Sequence, residues 1–322
     1  MPTGFEVPSR DALIAEQATV QAEKFQGRLI AEYNGYIFPG QSWREPRGSA
    51  VADFVRPIIG NNERVTLDGV LEGLIEAKAG ESVHWVDMGG GRALTMRQLG
   101  SMPDFKQRLK MTNVDLFDFG LEGLGPDELD YLEGLVPGMT DPSAEPTLIT
   151  DNVETVQLSE PADIITSIEV IQYLNDPLEA ISNWYNQLAD NGIMLVATEH
   201  DWSGWVRYTR EPGGNERDET PMKHLLEELT RAGINCAVTD KCDWQSGLRP
   251  DVDPDRVRIM AVQKKPGTAL RVIRPVVDVW VNLYNFKSTF YEAPGEESSP
   301  IVKVANTETP KALGAITLGN IS

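Results

Sequence analysis

The stretch Val83-His84-Trp85-Val86-Asp87-Met88-Gly89-Gly90-Gly91-Arg92-Ala93-Leu94 decides how this chain folds. An apolar run ends in a carboxylate, passes through three adjacent glycines and continues into a segment patterned as a helix. Glycine has no Cβ, so its backbone can turn sharply and a ligand can lie directly on it. A strand, a glycine turn and a helix N-terminus in this order predict the nucleotide-binding corner of a doubly wound α/β sheet.

The balance of charges limits the partners that we expect. The chain of 322 residues has a formal net charge of −20, and such an acidic surface repels phosphate backbones and anionic lipid. Nucleic acid and membrane are therefore not expected partners. The N-terminus lacks a basic, apolar segment, and no long uncharged apolar run follows, which predicts a protein without a signal peptide or a membrane span.

The cysteine content points to a reducing compartment and against cysteine-bound metal. Only Cys236 and Cys242 occur. Two thiols cannot build a four-cysteine zinc site or an iron–sulfur site, and a low cysteine content is typical of the cytoplasm. We therefore expect a cytoplasmic protein and no metal site.

Strand-like and helix-like segments alternate from Val83 onward, and a helical apolar stripe over Leu67–Ile75 precedes them. The predicted strands are 83–87, 111–115, 147–150, 162–168, 192–198, 234–239 and 256–263. Predicted helices follow Pro177 and Pro221, and a short inserted helix covers Pro126–Val136. The alternation predicts an α/β fold with a doubly wound, seven-stranded, mostly parallel sheet. The last two strands lie too close for a helix between them, which predicts an antiparallel hairpin that closes the sheet.

Two segments flank the predicted domain, which covers residues 65–266. Residues 1–64 form an N-terminal helical and lid segment, in which the aromatic stretch Tyr33–Trp43 either covers a ligand or packs a loop onto the core. Residues 267–322 form a C-terminal extension, with an apolar arm over Val272–Tyr291 and then a loosely held tail. Apolar surface on the arm could support a homodimer.

The residues around the glycines discriminate between cofactors. A phosphate-binding loop needs a lysine and a hydroxyl residue directly after the glycines, and Arg92-Ala93-Leu94 stands there, so that class is excluded. A dinucleotide site needs a third glycine where Leu94 stands, and the Asp87 carboxylate would repel pyrophosphate. That carboxylate would instead attract a cation, such as an amino group or a sulfonium.

The segment Asp87–Ala93 resembles the D-x-G-x-G-x-G/A signature of the class I S-adenosylmethionine-dependent methyltransferases. Four further segments are similar to the family in the same order: Asn113–Leu116, Ile149–Val153, Ala162–Pro177 and Leu188–Val196. The closing antiparallel hairpin is also a family trait. The resemblance covers roughly residues 65–266 and implies S-adenosylmethionine as the cofactor.

The resemblance implies roles for several residues at the strand ends. Asp115 takes the ribose hydroxyls and Leu116 lies against adenine, although Asp118 competes with Asp115. Asp151 or Asn152 offers a polar group to the adenine amino group.

The glycine corner itself completes the implied cofactor site. Gly89 and Gly91 form the turn on which the cofactor lies, and Asp87 contacts the cofactor unless it merely caps the turn. Glu169 faces the methionine end of the cofactor or lies in a solvated turn.

The candidates for proton transfer follow the fourth and fifth strands. His200 is the best candidate for a general base, with a satisfied loop histidine as the alternative. Tyr173 lies at the same rim. His84, at the start of the first strand, and His224, in the helix after Pro221, are predicted to be structural.

The predicted function is methyl transfer to an oxygen or nitrogen atom of a small molecule or a peptide. The chain lacks the Asn-Pro-Pro-aromatic tetrapeptide of amide and adenine-amino methyltransferases, and no pattern of paired carboxylates typical of magnesium-dependent catechol enzymes is evident. One alternative is a non-catalytic methyltransferase-like partner subunit. Another, weaker alternative is a nicotinamide-dependent dehydrogenase.

Overall fold

The protein is described here from a computed structural model. The described residues are 43–45, 54, 65–116, 120–122, 124–135, 137–168, 170–171, 174, 177–198, 205–209, 221–238, 243–244, 258–273, 278–282 and 301–306. The strands are β1 (Trp43–Glu45), β2 (Val65–Thr66), β3 (Val83–Met88), β4 (Leu109–Asp115), β5 (Thr147–Thr150), β6 (Ala162–Ile168), β7 (Leu188–Thr198), β8 (Trp205–Thr209), β9 (Cys236–Val238), β10 (Asp243–Trp244), β11 (Arg258–Gln263), β12 (Thr268–Ile273), β13 (Asp278–Asn282) and β14 (Ile301–Asn306). The helices are α1 (Leu67–Ala77), α2 (Leu94–Ser101), α3 (Pro126–Leu135), α4 (Pro177–Gln187) and α5 (Pro221–Arg231), with a 3₁₀ turn at Pro142–Ala144.

A seven-stranded sheet organises these elements in the order β5-β4-β3-β6-β7-β11-β9. The pairs among β5, β4, β3, β6 and β7 are parallel, whereas β11 is antiparallel to both β7 and β9. The predicted fold class is therefore confirmed. The predicted hairpin also forms, but its second strand, β11, inserts between β7 and β9, so β9 becomes the edge.

Helices cover both faces of this sheet, as in a doubly wound fold. One apolar core joins the sheet to α4 and α5 and includes the fully buried Trp184 and Tyr185. The other core joins the opposite face to α1 and α2 and includes Trp85. Helix α1 begins where Thr66 accepts a hydrogen bond from the backbone N–H of Gly69 at 3.3 Å, an N-cap that satisfies one orphan donor.

The beginning of the predicted C-terminal extension packs against the core. The side-chain amide of Asn186, on α4, donates to the carbonyl of Leu270 at 2.8 Å and accepts from its N–H at 2.7 Å. Leu270 is buried in the same core as α4, so β12 docks on that helix. Strand β12 also pairs with β14, which lies in the segment predicted as a loosely held tail. Its β-branched residues Ile301, Val302 and Val304 favour a strand.

Part of the predicted N-terminal segment lies outside the described residues. This includes residues 1–42, and with them most of the aromatic stretch Tyr33–Trp43. The end of that stretch belongs to β1, which pairs with β2 and β10. Within the described part of the chain, no helix is both long and apolar enough to cross a bilayer.

Candidate functional site

The glycine turn after β3 is built from left-handed backbone. Gly89, Gly91 and Ala93 have φ angles of 82°, 54° and 55°, a region that favours glycine. The N–H of Gly89 donates to the carbonyl of Val114 at 2.7 Å and so continues the pairing of β3 with β4. A Cβ at position 89 would lie 2.5 Å from a methyl carbon of Val170. Only glycine fits there.

Gly90, in the middle of the turn, packs directly on two side-chain oxygens. A Cβ there would lie 2.3 Å from Oδ1 of Asn113 and 2.5 Å from Oδ2 of Asp87. Real Cβ atoms essentially never approach so closely. The missing side chain therefore lets the turn pack directly on Asn113 and Asp87.

Asp87 is a buried carboxyl at the carboxyl end of β3, with 6% of its surface exposed. Its Oδ1 accepts a hydrogen bond from the hydroxyl of Thr166 at 2.8 Å. That hydroxyl oxygen in turn accepts from the indole N–H of Trp85 at 2.8 Å. Burial raises the pKa of Asp87 to about 7, the Thr166 hydroxyl lowers it, and the nearby carboxylate of Asp115 raises it further.

Two residues of β4 hold the backbone of Gly91 from both sides. The Gly91 N–H donates to Oδ2 of Asp115 at 3.0 Å. The side-chain Nδ2 of Asn113 donates to the Gly91 carbonyl at 2.7 Å. Asn113 was not among the predicted site residues. The available signal was its position two residues before Asp115, which places both side chains on the same face of the strand.

Asp151 and Asn152 follow β5 and adjoin Asp115. The Asp151 N–H donates to the Asp115 carbonyl at 2.9 Å. The Asn152 side-chain oxygen accepts from the N–H of Glu154 at 2.9 Å, which closes a local turn. Leu116 is half-buried directly after Asp115. The predicted cofactor residues that the structure describes therefore meet at the carboxyl ends of β3, β4 and β5.

Several predicted residues lie outside the described part of the chain. These are Glu169, Tyr173, His200 and the competing Asp118.

His84 has the structural role that the sequence predicted. Its Nδ1 donates to the carbonyl of Pro161 at 3.0 Å, which leaves Nε2 to accept from the Thr112 hydroxyl at 3.1 Å. Burial lowers its pKa, which favours the neutral ring, and the residue lies at the end of β3 remote from Asp87. His224 lies in α5, as predicted.

The residues at these strand ends fit a ligand that carries a cation and hydroxyl groups. Asp87, Asp115 and Asp151 place carboxyl groups at the ends of three adjacent strands. Carboxylates accept hydrogen bonds from hydroxyls and attract cations, whereas they repel phosphate. The turn at Gly90 has no room for a Cβ against these groups. These acceptor groups fit S-adenosylmethionine better than a dinucleotide.

Comparison with known proteins identifies one matching family model. Residues 64–228, about half of the chain, match the model described as a methyltransferase domain. No curated protein sequence matches the chain.

Several solved structures are similar to this chain at low identity. The N-methyltransferase NodS from Bradyrhizobium japonicum WM9 is 15% identical over 60% of this chain and 92% of its own, with a TM-score of 0.37. The 1,6-didemethyltoxoflavin-N1-methyltransferase of Burkholderia thailandensis, solved with its substrate and S-adenosylhomocysteine, is 14% identical over 82% and 94%, with a TM-score of 0.38. The magnesium protoporphyrin IX methyltransferase of Synechocystis PCC 6803, with bound SAM, is 12% identical over 77% and 97%, with a TM-score of 0.37.

Proposed function

Since this chain belongs to the methyltransferase domain family, we propose that it moves a methyl group to an oxygen or nitrogen atom of a small molecule or a peptide. Its cofactor is S-adenosylmethionine. The observation that carries the proposal is the pair of carboxyl groups at the carboxyl ends of β3 and β4, around the glycine turn. Buried Asp87 packs against Gly90, and Asp115 accepts a hydrogen bond from Gly91.

We assign the cofactor to the groups at these strand ends. Asp115 holds the ribose hydroxyls, because a carboxylate accepts hydrogen bonds from hydroxyl groups and this one lies against the glycine turn, where it accepts from the Gly91 N–H. Leu116 lies beside adenine. Asp151 is exposed and follows the neighbouring strand, which supports a contact to the adenine amino group. Asn152 competes for this role, but its side-chain oxygen already accepts from Glu154.

The methionine end of the cofactor belongs on the other side of the turn. Gly89 and Gly91 shape the turn, and Asp87 supplies a carboxyl group behind it. Glu169 directly follows β6, which is the neighbour of β3 in the sheet. This position supports the proposal that Glu169 faces the methionine end.

The cofactor supplies a methyl group already activated by a sulfonium, so the protein must mainly align the acceptor and exclude water. An acceptor hydroxyl or a protonated amine also needs a base. His200 follows β7 by two residues, and Tyr173 follows β6 by five. In the sheet, β6 adjoins β3 and β7 adjoins β6. We propose His200 as the base and Tyr173 as a second group at the acceptor.

Labelled-methyl transfer tests the proposal. Purified protein is incubated with S-adenosylmethionine carrying a labelled methyl group and with fractionated extract of the source organism, and labelled products are identified by mass spectrometry. Transfer to a small molecule or peptide supports the proposal. Binding of the cofactor with no transfer to any fraction would support the non-catalytic subunit instead. No binding would contradict both, and a fluorescence titration with NADH would then test the dehydrogenase.

A matched pair of histidine variants tests the base. His200→Ala is expected to lower the rate of methyl transfer by about 100-fold, in the range of general-base catalysis, with little change in cofactor affinity. His224→Ala, on α5, is the control and should leave the rate unchanged. Equal effects of the two substitutions would remove His200 from the mechanism.

We also propose a cytoplasmic protein without nucleic-acid or membrane partners, in which the C-terminal arm supports a homodimer. The net charge of −20 and the apolar composition of the arm support this proposal. Sedimentation equilibrium of the full chain tests the dimer. A monomer at all concentrations up to about 100 μM would contradict it, since a specific interface holds at micromolar affinity or better.

A further inference from the structure

A buried oxygen behind the glycine turn lacks a partner. Oδ1 of Asn113 has no hydrogen-bond partner among the described residues, and only 3% of the surface of Asn113 is exposed. An acceptor that is removed from water and left unpaired destabilises the folded state. This atom therefore requires an explanation.

The other end of the same amide fixes its orientation. Nδ2 of Asn113 donates to the Gly91 carbonyl at 2.7 Å. A carbonyl oxygen can only accept, so the amide cannot be flipped without placing two acceptors against each other. Oδ1 must therefore point away from Gly91.

Oδ1 of Asn113 and Oδ2 of Asp87 both pack against Gly90. A Cβ at Gly90 would lie 2.3 Å from the first oxygen and 2.5 Å from the second. The parallel register of β3 and β4 places Asp87 directly beside Asn113. If the carboxyl were ionised, two acceptors would face each other in a buried site. A protonated carboxyl would donate to the amide oxygen and satisfy it.

The hydrogen bonds on the other side of Asp87 indicate which of its oxygens would carry a proton. The hydroxyl oxygen of Thr166 accepts from the Trp85 indole at 2.8 Å, and the hydroxyl donates to Oδ1 of Asp87 at 2.8 Å. Oδ1 is thus an acceptor already. The proton belongs on Oδ2, the oxygen that shares the space at Gly90 with Asn113.

We propose that Asn113 is a positioning residue of the cofactor corner. Its Nδ2 holds the Gly91 carbonyl, and its Oδ1 accepts a hydrogen bond from the protonated Oδ2 of Asp87 while the cofactor site is empty. The proposal rests on the proposed function in taking this corner as the cofactor site. The proton comes from solvent, and no covalent bond other than the O–H bond forms or breaks.

The environment of Asp87 favours its protonated form, as the shared proton between Asp87 and Asn113 requires. Burial has the largest effect and raises the pKa of Asp87, while the Thr166 hydroxyl on β6 lowers it. The Asp115 carboxylate on β4 is the charged group that acts on Asp87 among the described residues, and it raises this pKa. A negative neighbour favours the neutral carboxyl.

The direct test is an NMR titration of the cofactor-free protein labelled with ¹³C at the aspartate carboxyl carbon. The Asp87 resonance is assigned by its loss in Asp87→Asn. Asn113→Ala removes the acceptor and admits water, so the pKa of Asp87 should fall by about one unit or more. Asn113→Asp keeps the shape and adds a second carboxyl group, so the pair should hold its last proton to higher pH.

Asn186→Ala is the matched control, since that amide also bonds to backbone across a long sequence separation but lies on α4. It should leave the Asp87 titration unchanged. A pKa that moves by less than about 0.3 units in both Asn113 variants, or that rises in Asn113→Ala, would overturn the shared proton. Thermal unfolding checks that each variant folds, and the near-isosteric Asn113→Asp maintains the test if Asn113→Ala does not.

Cofactor affinity tests the positioning role separately. Both Asn113 variants should bind S-adenosylhomocysteine about tenfold more weakly because the Gly91 carbonyl loses its donor, whereas Asn186→Ala should bind within about twofold of the wild type. Unchanged affinity in both Asn113 variants would overturn the positioning role. The NMR titration needs no cofactor. Failure of the wild-type protein to bind S-adenosylhomocysteine, with the titration as expected, would therefore contradict the proposed function and not the shared proton.

Discussion

Replacing Asp87 with Asn should make the protein more stable at pH 8. The amide keeps the shape of the carboxyl and can still accept the hydrogen bond from Thr166. It also supplies a permanent N–H toward Oδ1 of Asn113, which lacks a partner among the described residues. The buried charge that wild-type Asp87 must carry at high pH is removed.

The magnitude follows from the pKa of this one group. Burial raises the pKa of Asp87 from its ordinary value of 3.8 to about 7. The folded state therefore holds the proton more tightly, so the stabilisation is present below pH 4 and is lost as the pH rises through about 7. The shift corresponds to about 4 kcal/mol in total, of which about 3 kcal/mol falls between pH 5 and pH 8.

Urea denaturation at pH 5 and pH 8 measures this difference. The free energy of unfolding of Asp87→Asn minus that of the wild type should increase by about 3 kcal/mol from pH 5 to pH 8. Ser167→Ala is the control, because it removes a buried hydroxyl from the neighbouring strand, bonded to the Met88 carbonyl, without touching a titratable group. Its difference from the wild type should not depend on pH. A difference for Asp87→Asn that is equally flat would refute the reasoning.

Two further substitutions, one of them with a control, test the packing of the turn and the hydrogen bonds behind Asp87. Gly90→Ala should destabilise the protein by about 1–3 kcal/mol and weaken cofactor binding, because its Cβ would lie 2.3 Å from Oδ1 of Asn113. Gly134→Ala, on α3 with nothing within 4 Å of its Cβ, should be neutral or stabilising by up to about 1 kcal/mol; calorimetry that shows equal losses for both would contradict the packing argument. Trp85→Phe removes the indole N–H that orients the Thr166 hydroxyl and should cost about 1 kcal/mol and a few-fold in affinity for S-adenosylhomocysteine. An unchanged affinity, measured by titration calorimetry, would show that this chain of hydrogen bonds does not position Asp87.

The sheet could be predicted from the sequence because its signals are local. The apolar run before Asp87, the three glycines and the Asp at position 115 each mark a strand end within a few residues of sequence. The predicted and observed bounds of the parallel strands differ mainly at their first residues. Strand β7, for example, begins at Leu188 rather than at 192.

The contacts that complete the site could not be predicted, because they join residues far apart in the chain. Asn113 and Gly91 are separated by 22 residues, and Trp85 and Thr166 by 81. No local pattern indicates which side chain will meet which backbone group across neighbouring strands. The hairpin was predicted from a short connection, but the insertion of β11 between β7 and β9 depends on pairing across the whole sheet.

The most direct test of the central claim is titration calorimetry with S-adenosylhomocysteine on three proteins. The wild type should bind one equivalent. Asp115→Ala should bind at least about tenfold more weakly, because it loses both the hydrogen bond to the Gly91 N–H and the acceptor for the ribose hydroxyls. Asp118→Ala, which removes the competing carboxylate, should bind within about twofold of the wild type. Binding that is lost in Asp118→Ala and retained in Asp115→Ala, or no binding by the wild type, would contradict a cofactor site at the glycine corner.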